Sequence, residues 1–95
     1  MNEKKQDLIN KTRKRLLMRS GWKCEICGKY INDHNSQIAH KLSKSKMNIK
    51  KYGLTFIHGD HNLNIVCGLE CNQKASVGIT KEYDFIREMK ERGIL

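Results

Sequence analysis

The sequence predicts a small α+β domain stabilised by a zinc ion, and three observations support this fold class. The chain has 95 residues, of which only 38% are hydrophobic, so its core is small for a domain that folds alone. Four cysteines occur in two close pairs. Two short segments typical of β-strands lie between two segments typical of helices. Residues 1–95 are long enough for one domain.

The first predicted element is a basic helix over residues 1–20. Its middle contains good helix formers and neither Gly nor Pro, and Gly21 follows as a stop signal. The apolar positions form only a partial stripe, so we expect the helix to depend on docking against the rest of the domain. These positions are Leu8, Ile9, Leu16 and Leu17.

Residues 22–76 are the predicted zinc-clamped core. Within it, residues 37–40 and 63–66 are predicted to form short strands, partly because of their β-branched content. The segment between them, residues 41–61, is polar and rich in lysine, and we expect a long functional connection there.

A C-terminal helix is predicted over residues 79–93, with Gly93 as its stop. Apolar residues recur there at steps of three and four, which is the spacing of one helix face, and we expect that face to pack on the core. They are Ile79, Tyr83, Ile86 and Met89.

The cysteines have the spacing of metal ligands. Cys24 and Cys27 are separated by two residues, and Cys67 and Cys71 by three. Each pair presents two sulfurs to one ion, so together they predict a tetrahedral four-thiolate zinc site whose turns favour glycine. The alternatives are ordinary buried cysteines or a disulfide.

Targeting signals are not evident in the sequence. No run approaches the roughly 18 apolar residues of a membrane span, and the apolar run near the N-terminus is too short for a signal peptide. We therefore expect a cytoplasmic protein without a membrane partner. Thiols are kept reduced in that compartment, which favours zinc over a disulfide.

The charge is strongly positive and unevenly distributed. The net charge is +9; residues 1–23 contain eight basic and two acidic residues, and residues 41–59 contain five lysines and no acid. Such blocks are often merely solvated faces. Two of them in one short domain favour a polyanionic partner, of which nucleic acid is the commonest.

The order of the remaining polar residues resembles that of the HNH (ββα-metal) endonucleases, in the branch with a four-cysteine zinc. His40 ends the first strand, Asn62 lies five residues before Cys67, and Asn72 directly follows Cys71. The resemblance implies a ββα-metal (HNH) motif flanked by an N-terminal and a C-terminal helix. It also implies metal-dependent hydrolysis of DNA, in a bacterium or a phage-infected host cell.

The resemblance assigns roles to three residues. His40 would be the general base, Asn62 would hold the active-site loop, and Asn72 would bind a catalytic Mg²⁺ or Mn²⁺. Asn72 could instead cap a short helix. We expect the N-terminal helix and five lysines to contact DNA phosphates without reading bases. These lysines are Lys41, Lys44, Lys46, Lys50 and Lys51.

One position departs from the family pattern. Ala39 stands where many members carry an Asp or His metal ligand, and a methyl group cannot bind a cation. Asp60, His58 and His61 are nearby candidates for this role; otherwise the metal is held weakly or activity is lost. A catalytically silent zinc module that binds nucleic acid and a protein-interaction adaptor are therefore alternative functions, and the sequence predicts no particular oligomeric state.

Overall fold

The computed structural model describes residues 3–95, with the backbone alone at residues 3, 79 and 80. Its elements are, in order, α1 (Glu3–Ser20), β1 (Gln37–His40), α2 (Lys46–Tyr52), α3 (Leu54–Ile57), a 3₁₀ turn (Asp60–Asn62), β2 (Leu63–Val66), α4 (Leu69–Ala75) and α5 (Gly78–Glu91). This confirms the α+β class, since one two-stranded antiparallel sheet is surrounded by helices. None of the helices within residues 3–95 has the length and apolar character needed to cross a bilayer.

The N-terminal helix is confirmed as α1, although residues 1 and 2 lie outside the described residues. It ends at Ser20, and Gly21 adopts the left-handed conformation (φ +69°) that terminates many helices. Leu16 and Leu17 are fully buried. Leu8 is 64% exposed and Ile9 37% exposed, so the predicted docking stripe is wrong in the first half of α1.

Both strands are confirmed with the predicted bounds. They pair antiparallel, with Gln37 opposite Val66 and His40 opposite Leu63. α1 packs on β2 and α4 packs on β1. Because successive strand residues point to opposite faces, Ala39 is buried in the core while His40 is half-buried beside α4.

The long connection over residues 41–61 contains elements that the sequence analysis did not predict, namely α2, α3 and the first two residues of the 3₁₀ turn. Ser45 caps α2: its hydroxyl accepts a hydrogen bond from the Asn48 N–H (3.2 Å). Between the lysines of this segment, apolar residues recur at helical spacing. These apolar residues form a second core with α5. The buried members of this second core are Leu42, Phe56, Ile57, Ile86 and Met89.

The C-terminal helix is confirmed as α5, which begins one residue before the predicted range and ends two residues before Gly93. Ile86 and Met89 are buried as predicted, and the side chain of Ile79 lies outside the described part of the chain. Tyr83 is 73% exposed, so its predicted place in the core is wrong. The Arg87 guanidinium lies 5.9 Å from its ring centroid instead.

Candidate functional site

The four cysteines come together at one end of the sheet. Cys24 and Cys27 lie in a tight turn in which the Gly28 N–H donates to the Cys24 carbonyl (2.9 Å), and Gly28 has a left-handed φ of +81°. Cys67 follows β2 and Cys71 lies in α4. Gly68, between them, is extended (φ 172°), so only the first turn needs a glycine for its φ angle.

The sulfur positions fit one tetrahedral ion. All four Sγ atoms lie within 4.8 Å of one another. The Cys27–Cys67 and Cys67–Cys71 Sγ distances are 3.6 and 3.7 Å, whereas Zn–S bonds of about 2.3 Å in a tetrahedron place sulfurs about 3.8 Å apart. All four are free cysteines, and the disulfide alternative is wrong because an S–S bond is only about 2 Å long.

The thiols differ in how readily they ionise. Burial raises the pKa of Cys24, but backbone N–H groups of Cys27, Ile26 and Cys67 outweigh it and lower the pKa to about 6. Burial, followed by the neighbouring sulfurs, raises the pKa of Cys71 to about 12. Four thiolates this close repel one another unless a cation is bound. A structural zinc ion would supply the positive charge that removes this repulsion.

Glu25, between the first two cysteines, ties the turn to α1 and β2. Its carboxylate accepts hydrogen bonds from Arg19 (2.6 and 3.2 Å) and from the Ile65 N–H (2.9 Å). Burial opposes ionisation of this group, yet Arg19 and the Ile65 N–H bring its pKa below the usual value. No local pattern predicts these bonds, because Arg19 lies six residues and Ile65 40 residues from Glu25, outside the spacing of helical pairs.

Asn62 is fully buried at the end of the 3₁₀ turn, and its side chain bonds two separate segments. Its Oδ1 accepts from the Leu42 N–H (2.9 Å), and its Nδ2 donates to the Leu42 and Ile57 carbonyls (3.0 and 2.9 Å). Leu42 lies two residues after His40, and Ile57 directly precedes His58. The side chain therefore fixes the chain beside both histidines.

His40 is half-buried at the end of β1, and its Nε2 lies 3.2 Å from Nδ1 of His58. The two rings meet edge to face, with centroids 5.3 Å apart. Burial, then the nearby His58 and Lys44, lowers the pKa of His40 to about 4. The imidazole is therefore neutral near pH 7 and carries a lone pair that can accept a proton.

The three candidates for the role missing at Ala39 occupy different places. The Asp60 carboxylate accepts two hydrogen bonds from Arg15 (2.9 and 3.0 Å), which hold its pKa below the usual value. His61 is exposed on the 3₁₀ turn. His58 alone among the three contacts His40.

Asn72 lies inside α4, and its backbone N–H donates to the Gly68 carbonyl (2.9 Å). The alternative that Asn72 caps this helix is therefore wrong, since α4 begins at Leu69 after Gly68. The Asn72 Nδ2 donates to Oε1 of Gln37 (3.2 Å). This bond uses the amide nitrogen and leaves Oδ1 to face other partners.

His40 and Asn72 line one cleft of about 1010 Å³ between the first half of α1 and the sheet. His58 and Lys44 also line this cleft. The cations Lys5 and Arg13 and the exposed Leu8, Ile9 and Leu54 complete much of the lining. The cleft thus combines a neutral imidazole, an amide and positive charge, which suits acid–base chemistry on an anion.

The five lysines do not share one surface. Lys44 lines the cleft. Lys41 does not line the cleft: it is half-buried, and its Nζ lies 5.6 Å from the centroid of the Phe85 ring in α5. Lys46, Lys50 and Lys51 are exposed on α2, and Lys51 pairs with Glu82 (3.6 Å).

Comparisons with protein-family models, with curated proteins and with solved structures find no match to this chain.

Proposed function

We propose that the protein is a metal-dependent HNH endonuclease that hydrolyses DNA phosphodiester bonds, with His40 as its general base. The observation that carries the proposal is that His40 and Asn72, from β1 and α4, line the same cleft beside Lys44. The buried Asn62 bonds Leu42, two residues after His40, and so holds the chain beside it. The four-cysteine cluster brings together the turn of Cys24 and Cys27, the end of β2 and the first turn of α4, and a bound zinc would fix their relative position.

The environment of His40 supports its role as base. Its Nε2 faces His58, so Nδ1 is the nitrogen that would take a proton from water. The water oxygen then bonds to phosphorus, and the bond from phosphorus to the 3′-oxygen breaks. That oxygen keeps the electron pair and takes a proton from solvent, which leaves 5′-phosphate and 3′-hydroxyl ends.

Asn72 would supply the protein ligand of the divalent ion through Oδ1, since its Nδ2 is bonded to Gln37. Amide oxygens and phosphate oxygens are the hard ligands that Mg²⁺ and Mn²⁺ accept. The ion, when bound, supplies positive charge at the phosphate and the leaving oxygen. With Ala39 buried in the core, we expect weak binding of the ion before DNA arrives.

DNA phosphates would be held mainly by the cations of the cleft. Lys5, Arg13 and Lys44 line it, and positive charge of this kind positions the backbone without selecting a sequence. The exposed Lys46 and Lys50 lie on α2, outside the cleft, and would be separate contacts for DNA phosphates. Lys41 would contribute little, because its Nζ lies over Phe85.

Nicking of supercoiled plasmid tests the proposal. Zinc-loaded protein should nick the plasmid in Mg²⁺ or Mn²⁺, and His40→Ala should abolish nicking while zinc content and circular dichroism stay unchanged. His34→Ala is the matched control, since His34 is exposed in the loop before β1 and should cleave like wild type. Full cleavage by His40→Ala would remove His40 as the base.

A catalytically silent module that binds nucleic acid is the second candidate. Two features favour it: Ala39 has only a methyl group, and the Asp60 carboxylate accepts hydrogen bonds from Arg15. Neither position therefore offers a free carboxylate beside His40. This function predicts salt-dependent DNA binding without cleavage in Mg²⁺, Mn²⁺, Co²⁺ or Ni²⁺.

A further inference from the structure

The pair formed by His40 and His58 joins the sheet to the second core. His40 ends β1, whereas His58 closes α3, where its N–H donates to the Leu54 carbonyl (3.0 Å). The α3 residues Phe56 and Ile57 are buried in the second core with α5. His58 is therefore held by packing that does not involve β1, and it presents Nδ1 to Nε2 of His40 at 3.2 Å.

A hydrogen bond between two imidazole nitrogens needs one N–H and one lone pair, so its direction decides which nitrogen of His40 carries the proton. If Nε2 of His40 carries the proton, it donates to the lone pair on Nδ1 of His58, and Nδ1 of His40 keeps a free lone pair. Within residues 3–95, Nδ1 of His40 has no hydrogen bond to protein. Lys44 lines the same cleft, and its ammonium can only donate hydrogen bonds, so this side chain offers no acceptor for an N–H of His40.

A metal ion shared by the two rings is the competing explanation for their contact. One observation disfavours it. Across the described part of the chain, the only group of three or more Cys, His, Asp or Glu ligands is the four-cysteine cluster, so two imidazoles would hold the ion without a third such ligand.

We propose that His58 is a positioning residue that accepts the Nε2 proton of His40 and holds its ring in the tautomer with a free Nδ1 lone pair. The inference rests on the proposed function, in which that lone pair accepts a proton from water. It assigns to a side chain of α3 the part that an orienting acceptor plays behind a histidine base in other hydrolases.

Nitrogen-15 NMR of the histidine rings tests the tautomer directly in the zinc-loaded protein at pH 7. Wild-type His40 should show a protonated Nε2 and an unprotonated Nδ1. His58→Asn should preserve this pattern, because Oδ1 of Asn can accept near the place of the histidine Nδ1. His58→Phe removes the acceptor and should give a mixture of both tautomers, whereas the control His34→Phe should resemble wild type.

Single-turnover plasmid nicking gives the second readout. We expect His58→Phe to slow nicking on the order of tenfold and His58→Asn to retain most of the rate. A wild-type His40 protonated on Nδ1, or a tautomer unchanged in His58→Phe, would overturn the proposal. So would simultaneous shifts of both rings on titration with Zn²⁺, since these would indicate a shared ion. If wild type does not nick DNA, the proposed function fails, while the NMR spectra still decide the arrangement of the pair.

Discussion

Replacement of Asn62 by alanine should destabilise the domain by several kcal/mol, although this residue lies outside the zinc cluster. Its side chain makes three hydrogen bonds to backbone groups and is fully buried. The substitution leaves the Leu42 N–H and the Leu42 and Ile57 carbonyls without this partner. Asn62 thus links Leu42 and Ile57, two buried members of the second core, through polar contacts.

The magnitude follows from those three bonds. A buried backbone group left unsatisfied costs about 1–3 kcal/mol. Water entering the space of the lost amide restores part of that loss, so we expect a total of about 3–6 kcal/mol. Small domains have only about 5–15 kcal/mol of stability in all, so much of the Asn62→Ala protein should be unfolded at modest denaturant concentration.

Urea denaturation at a fixed free Zn²⁺ concentration measures this effect. The matched control is Asn64→Ala, two residues along the same chain, because Asn64 is half-buried and its side chain makes one long bond, to Glu25 (3.4 Å). We expect the control to lose no more than about 1 kcal/mol. An Asn62→Ala protein that is as stable as Asn64→Ala would refute the reasoning.

Three further predictions concern pH, DNA binding and the second core. The pKa of His40 is lowered from 6.5 to about 4, so its contribution to stability is complete above pH 6.5 and is lost as the pH falls towards 4. The unfolding free energy of wild type relative to His40→Gln should fall over that window by roughly 1–2 kcal/mol, allowing for the half-exposed ring; a flat difference would contradict the shift. Lys44→Gln should weaken DNA binding and reduce the salt slope by about one, whereas Lys41→Gln should leave both unchanged in a fluorescence anisotropy titration. Met89→Ala should cost about 2–5 kcal/mol in urea denaturation, but Tyr83→Ala only about 0.5 kcal/mol, and equal losses would contradict the packing of α5.

Some parts of the fold are predictable because their signals are local. The cysteine spacing predicts the cluster, since each pair needs only one turn of chain to present two sulfurs. Both strands are predictable from their β-branched content. Gly21 predicts the end of α1 because its left-handed φ is costly for other residues.

Other parts of the fold are hard to predict because the composition of a segment obscures its apolar pattern. The helices in residues 41–61 were missed because the lysines dominate that segment, although Ile49, Tyr52 and Phe56 recur at steps of three and four. The orientation of Lys41 was within reach of sequence reasoning. It follows His40 directly, and consecutive residues of an extended chain point to opposite sides.

The candidate site also has residues that the sequence predicts and a contact that it does not. His40, Asn62 and Asn72 were identified from their order along the chain, and the structure places the first and last on one cleft. The contact of His40 with His58 could not be predicted, because it depends on how α3 packs against α5. The distance along the chain between His40 and His58 does not indicate how α3 packs against α5.

The central claim is that four thiolates hold one zinc ion and that this ion builds the scaffold for the His40 cleft. Elemental analysis of freshly purified, reduced protein, before and after a strong chelator, tests it most directly. The account predicts one zinc per chain and a cooperative loss of tertiary structure when the zinc is removed. A zinc-free protein that keeps its native near-ultraviolet circular dichroism and melting temperature would contradict it.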